Sequence, residues 1–188
     1  ESYAACVRRA VAGLELDLVL EPGRGMVAEA GVLLARVLYV KQGRSKRFVI
    51  VDAAMNDLLR PALYEGWHPI HPVRAPSRAT PFLLTDIVGP ICESADLIAP
   101  ARKLPALAPG DLIAIGVAGA YGAVMASNYN SRPLVAEAMV DAKRHALVRP
   151  RQDLAELVAH DRLAPWLAPA TASRRTPIGP PAKPRVKK

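Results

Sequence analysis

Three loop segments carry side chains whose types and spacing suit chemistry. They are Glu21-Pro22-Gly23-Arg24, Gly89-Pro90-Ile91-Cys92-Glu93-Ser94-Ala95-Asp96, and Gly119-Ala120-Tyr121-Gly122 followed by Ser127-Asn128-Tyr129-Asn130-Ser131-Arg132-Pro133. Glu21, at the end of an expected strand, is suited to a protonated heterocyclic nitrogen, because a carboxylate beside that nitrogen keeps the ring cationic and a better electron sink. The amides around Gly23 and Arg24, where a helix opens, suit a phosphate. Cys92 lies between a Gly-Pro turn and an acidic residue; an ordinary thiol, with a pKa near ~8.5, is protonated at neutral pH, as a proton donor must be. Arg60 and Tyr64 are four apart and so share a helix face. Taken singly, Arg60 reads as a solvated helix residue, and Tyr64 and Tyr121 as packing. Cys6 reads as an inert buried thiol. His68 and His71 have the spacing of metal ligands but no Cys or acidic companions, so they read as ordinary loop residues and no metal site is expected.

The elements that must position these residues follow from periodicity. Tyr3 to Leu14 reads as a helix with Ala4, Val7, Val11 and Leu14 on one side. A short apolar strand, Leu16 to Leu20, runs into the Glu21–Gly25 turn; Met26 to Leu34 can continue as a helix, although Gly31 disfavours it, and Leu33 to Lys41 turns β-like. This strand-turn-helix step is the repeating unit of an α/β barrel, whose ligand groups sit at the C-terminal ends of strands. From Val37 the pattern becomes β-like: Val37–Val40, a turn at Gln42-Gly43-Arg44, and Arg47–Val51 form a hairpin. Asn56 or Asp57 can cap a short helix through Tyr64. Further strands are expected at Pro69–Val73, Phe82–Val88, Asp111–Ile115 and Pro133–Asp141, with His145–Arg149 pairing back on the last. Arg151–His160 reads as a helix with Leu154, Leu157 and Val158 inward. The fold class is therefore mainly β with flanking helices: a C-terminal antiparallel, barrel-like β-domain preceded by the last strand-helix unit of an incomplete α/β (TIM-type) barrel. The expected borders are 1–36 for the barrel part, 37–164 for the β-domain and 165–188 for a disordered, basic, proline-rich tail.

Composition narrows the classes. The chain has 188 residues, 51% of them hydrophobic, enough for a packed core and too much for disorder throughout. Its formal charge is +8, but Arg174, Arg175, Lys183, Arg185, Lys187 and Lys188 supply most of it. The body is nearly neutral, which argues against a nucleic-acid-binding face. No uncharged apolar run approaches the ~18–20 residues of a membrane span, and no stretch has the form of a secretion signal. Two cysteines in unlike contexts point to a reducing cytoplasm and free thiols.

Together with Asp52-Ala53-Ala54-Met55-Asn56-Asp57-Leu58-Leu59-Arg60-Pro61-Ala62-Leu63-Tyr64, the three loop segments resemble the diaminopimelate decarboxylases. These belong to the pyridoxal-phosphate-dependent decarboxylases that combine an α/β barrel with a β-domain. The resemblance runs in consistent order from about Leu16 to Asp161, although the family more often has Gly where Ala95 stands. It implies pyridoxal 5'-phosphate as cofactor, bound by Glu21, Gly23, Arg24 and Tyr121. It implies that Arg24, Arg60 and Tyr64 grip a substrate carboxylate, a task suited to planar guanidinium groups. It also implies that Tyr121 touches substrate, that Cys92 is the catalytic proton donor, and that Glu93 holds the substrate's distal ammonium. Cys92 and Glu93 would act in the active site of a partner subunit, so a homodimer is expected.

In this family a lysine holds the cofactor as a Schiff base, and no lysine of this chain matches that position. The resemblance thus implies the C-terminal portion of a longer enzyme, without turnover as an isolated chain. The expected reaction is removal of one carboxylate of meso-diaminopimelate to give L-lysine and carbon dioxide. A related ornithine, arginine or carboxynorspermidine decarboxylase is the nearer alternative. Glu93 with Arg24 and Arg60 favours a substrate bearing an amino acid group at each end. A non-catalytic β-domain module is the more distant one; a scaffold has no physical need for Arg24, Cys92, Glu93 and Tyr121 together.

Overall fold

The computed structural model describes residues 2–15 and 17–167, and the expected tail beyond residue 167 lies outside them. The chain forms two compact units, one to Gln152 and one from Asp153. Helix α1 (Tyr3–Ala10) starts at Ser2, whose hydroxyl accepts the Ala5 N–H at 3.2 Å. It is shorter than periodicity suggests and buries no residue. Cys6 on this helix is exposed, against expectation. Residues 17–20 form no strand, although one was expected over Leu16–Leu20, and Val19 is 84% exposed. The physical reason is that a strand needs neighbours to take up its backbone N–H and C=O groups, and no described strand pairs with this segment.

After helix α2 (Arg24–Val27) and a 3₁₀ turn (Ala28–Ala30), the first strand, β1 (Leu33–Gln42), begins before the expected domain border at 37. The helix ends before Gly31 and does not continue to Leu34, whereas the β-like stretch Leu33–Lys41 is strand as expected. Strand β2 (Arg47–Val51) returns antiparallel to β1 across a four-residue loop closed by Gly43 N–H donating to Lys46 O at 2.8 Å. Helix α3 spans Arg60–Tyr64, with β3 (Ile70–Pro72), β4 (Phe82–Val88), β5 (Leu97–Pro105) and β6 (Leu112–Ile115) following. These form one barrel-like six-stranded sheet in the order β3-β6-β1-β2-β4-β5. All neighbours are antiparallel except β2 and β4, which are parallel and joined by a long crossover through α3 and β3. A separate hairpin pairs β7 (Glu137–Asp141) with β8 (Arg144–Arg149). The second unit begins with α4 (Leu154–Leu157), a single turn on which Leu154 is 65% exposed, with Val158 just beyond it 61% exposed, rather than the longer inward-facing helix expected.

Alternation sets the core. Ala35 and Val37 of β1, Val49 and Val51 of β2, and Ile113 and Ile115 of β6 are spaced by two and all buried, together with Leu58, Ile87, Ile98 and Leu104. Alternation breaks in β4, where Thr85, Asp86 and Ile87 are all buried. The cause is a register shift against β5 between Thr85 and Ile87. This bulge turns Asp86 inward, where Ala101 N–H donates to it at 2.7 Å and Lys46 Nζ lies at 3.1 Å, so the buried carboxylate is satisfied.

One seam joins the segment before β1 to the loop after β6. Ala118 N–H donates to Gly31 O at 2.9 Å and Gly119 N–H to Ala28 O at 3.0 Å. The backbones of Gly31 and Gly119 touch so closely that a Cβ on either would overlap the other.

Candidate functional site

The glycine seam carries the Glu21–Arg24 turn to the Gly119–Gly122 loop. A Cβ on Gly23 would stand 2.9 Å from the Tyr121 hydroxyl, so the turn and this side chain touch, and a larger residue at 23 would displace the Tyr121 ring. Tyr121 itself has a positive φ of 56°, a conformation uncommon for a side-chain-bearing residue. The turn is tight: Gly25 N–H donates to Pro22 O at 2.7 Å and Met26 N–H to Gly23 O at 3.3 Å.

Arg60 comes to the same place from the other side. Its guanidinium carbon is 5.8 Å from the Tyr121 ring centre and 5.7 Å from that of Tyr64, within the range of cation–π attraction. Gly23, Tyr121 and the α3 pair Arg60 and Tyr64, from three remote parts of the sequence, thus form one cluster. Tyr64 (60%) and Tyr121 (45%) are open to solvent, as are Glu21 and Arg24. The groove of about 620 Å³ between α3 and β5, lined by Pro61, Ala62, Trp67, Ser94, Ala95 and Arg102 among others, contains none of the expected site residues.

Beneath the cluster lies His68, only 2% exposed and not the ordinary loop residue expected. Its Nδ1 is 2.9 Å from Gly116 O, which requires the proton on Nδ1, and its Nε2 is buried without a partner. Burial depresses the imidazole pKa most, and the positive fields of Arg60, Arg102 and Arg24 push it further down, opposed by the Gly116 contact. Because the folded protein resists protonating His68 while the unfolded chain takes up the proton near pH ~6.5, stability falls as pH drops below that value. We expect urea midpoints to fall between pH 7.5 and 5.5, and a His68→Gln variant to show a shallower fall; equal slopes would exclude His68 as the cause.

Cys92 and Glu93 form a second cluster on the loop between β4 and β5, and both are exposed. Asp96 holds this loop shut. Buried to 4% exposure, its carboxylate accepts the Ile91 N–H at 2.8 Å and the Met55 N–H at 2.7 Å, while Gly89 N–H donates to its carbonyl at 3.0 Å. Burial nevertheless raises its pKa, outweighing those two donors. Glu93 accepts the Ala95 N–H and the Tyr129 hydroxyl, each at 3.3 Å.

Tyr129 stands on a third loop that is clamped by Arg132. The Arg132 Nε donates to Asn56 Oδ1 at 2.9 Å, one terminal nitrogen donates to Asp52 O at 2.5 Å, and that nitrogen lies 3.7 Å from Asp57 Oδ2. Asp57 accepts Ala54 N–H at 2.9 Å and Asn56 Nδ2 at 3.1 Å; its burial raises its pKa despite Arg132. The turn at residues 52–57 is therefore a common footing: it anchors the Cys92 loop through Met55, the Tyr129 loop through Asp52, Asn56 and Asp57, and continues into α3 with Arg60 and Tyr64. Among the described residues, no hydrogen bond, ion pair or ring contact joins Cys92 or Glu93 directly to the Gly23–Tyr121–Arg60–Tyr64 cluster. Asp96, Tyr129 and Arg132 all stand in the loop segments singled out from sequence, but the sequence gives them no part to play.

An anionic group fits the first cluster, because the Arg60 guanidinium stands between the Tyr64 and Tyr121 rings and the exposed Arg24 adjoins Gly23, which touches the Tyr121 hydroxyl.

Residues 16–119 match the family model described as pyridoxal-dependent decarboxylase, C-terminal sheet domain. The diaminopimelate decarboxylase of Zymomonas mobilis is 48% identical over 167 residues, which is 89% of this chain and 39% of that protein. Its counterpart from Pseudomonas aeruginosa is 52% identical over 163 residues, 87% of this chain and 39% of that protein. The crystal structure of diaminopimelate decarboxylase from Helicobacter pylori complexed with L-lysine superposes with a TM-score of 0.70 at 47% identity, over 84% of this chain and 38% of that one. The chain thus spans about 39% of the length of the first two relatives. Among the described residues, no helix is long and apolar enough to cross a membrane.

Proposed function

The chain belongs to the pyridoxal-dependent decarboxylases as their C-terminal sheet domain, and from that premise we propose that it works as part of a meso-diaminopimelate decarboxylase, producing L-lysine and carbon dioxide. The observation that carries this reading is the convergence of Gly23, Tyr121, Arg60 and Tyr64 on one open face.

Glu21, Gly23, Arg24 and Tyr121 would hold pyridoxal phosphate, the Glu21 carboxylate suiting a protonated ring nitrogen and the amides of Gly23 and Arg24 a phosphate. Bound there, the cofactor supplies the electron sink for the pair released as carbon dioxide leaves. Arg24, Arg60 and Tyr64 hold the substrate's carboxylate and so fix which bond is aligned to break. Cys92 gives its thiol proton to the carbon that has lost carbon dioxide, and Glu93 holds the ammonium at the substrate's far end. The open face and the absence of Cys92 and Glu93 from the first cluster support a shared site in which these two serve a second copy of the chain, as a homodimer. The lysine that attaches the cofactor comes from outside these 188 residues, so the isolated chain is without turnover. Two exposed free cysteines suit a reducing cytoplasm.

The test is substrate preference. The holoenzyme that carries this chain is expected to favour diaminopimelate over ornithine in kcat/KM by at least about a hundredfold, because a site built for a second carboxylate and ammonium leaves charges unpaired with a shorter substrate. Preference for ornithine overturns the assignment.

A further inference from the structure

The geometry points to Tyr129 as a positioning residue that fixes Glu93 for the substrate's distal ammonium, an inference that rests on the part proposed for Glu93 above. Glu93 stands on an exposed loop, where a free Glu side chain samples many rotamers and must be ordered at each binding event. Here one carboxylate oxygen accepts the Ala95 N–H and the other accepts the Tyr129 hydroxyl. Two donors at opposite oxygens define the plane of the carboxylate. Each oxygen keeps a second lone pair, so an ammonium can still be received.

The donor is itself held. Tyr129 N–H donates to Ser127 Oγ at 3.4 Å, Asn128 Nδ2 donates to Arg132 O at 2.9 Å, and Arg132 fastens the loop to the 52–57 turn. Asn130 and Ser131 both take positive φ, 54° and 55°, a strained path for residues other than glycine. The Glu93 loop reaches the same turn through Asp96 and Met55. Both partners of the Tyr129–Glu93 contact are thus referred to one rigid base, which is what a reproducible 3.3 Å contact between two loops requires. Tyr129 acts through Glu93 and not on the reacting bond, so its loss weakens binding and spares the chemical step.

In the holoenzyme, Tyr129→Phe is expected to raise KM for diaminopimelate about five- to tenfold, within the range for losing one ordinary, solvent-exposed hydrogen bond, with kcat within about twofold. Tyr129→His, which keeps a ring donor, is expected to recover part of the loss. Glu93→Gln is expected to raise KM further, and the double variant Tyr129→Phe with Glu93→Gln to be no worse than Glu93→Gln alone. A raised KM in Glu93→Gln with no change in Tyr129→Phe, or full additivity in the double variant, overturns the positioning role and leaves Glu93's part intact. An unchanged KM in Glu93→Gln overturns the reading of Glu93 itself.

Discussion

Cys92→Ala in the holoenzyme lowers kcat by about 10²- to 10⁴-fold, the usual worth of a positioned general acid, and leaves the melting temperature almost unchanged. The two halves of that expectation have separate causes. The thiol is exposed and packs nothing, so its removal opens no cavity. The loop that presents it is shaped by backbone and by Asp96: Glu93 N–H donates to Ile91 O at 2.8 Å, Asp96 N–H to Glu93 O at 3.0 Å, and the Asp96 carboxylate takes the Ile91 and Met55 amides. None of these bonds uses the Cys92 side chain, so the presentation survives while the proton is lost. Steady-state kinetics on diaminopimelate, with thermal melts of the same samples, check it. A fall in kcat of less than about tenfold would remove Cys92 from the proton-donor role.

Arg132→Ala has the opposite signature and destabilises the fold by about 2 kcal/mol, the cost of leaving buried acceptors without a half-buried cationic donor. The truncation leaves the Asp57 carboxylate, with side-chain exposure of 1%, facing no cation, and strips donors from Asn56 Oδ1 and Asp52 O. Asp57 already resists ionisation because it is buried, so without Arg132 it is driven further toward the protonated form. Lys at position 132 cannot reproduce the fork that reaches Asn56 and Asp52 at once and recovers only part of the loss. Urea denaturation measures the shift. A change below about 1 kcal/mol would mean that the clamp contributes little. Adding Asp57→Asn to Arg132→Ala removes the orphaned charge and is expected to restore a fraction of the stability.

The sequence was most legible where structure is local. The hairpin from β1 to β2 and strand β4 follow from alternation and β-branched residues. Strand β5, Leu97–Pro105, was missed because its burial does not alternate: the bulge facing Asp86 and the positive φ of Ala101 break the period of two, and Pro100 reads as a loop. Leu16–Leu20 misled in the other direction, since its apolar run describes a strand that would need neighbours the described chain does not provide.

The site divides in the same way. Glu21, Gly23, Arg24, Arg60, Tyr64, Cys92, Glu93 and Tyr121 stand out through the family resemblance, since residue type alone reads Arg60 as solvated and Tyr64 and Tyr121 as packing; Gly23, Tyr121, Arg60 and Tyr64 lie in contact. The groups that orient them do not stand out. Arg132 meets Asp52 across 80 residues and Asp96 meets Met55 across 41, and no local spacing encodes such pairs. His68 does lie in the loop between α3 and β3, as expected, but its burial was not legible, because it depends on contact with the distant Gly116 segment.

The contact of Gly31 with Gly119 limits how this protein can diverge. Elsewhere in a packed interior, a residue that grows can be accommodated by a neighbour that shrinks. Here both neighbours are already the smallest residue available, so neither can yield, and no second change rescues the first. Descendants of this sequence should therefore keep both positions unaltered.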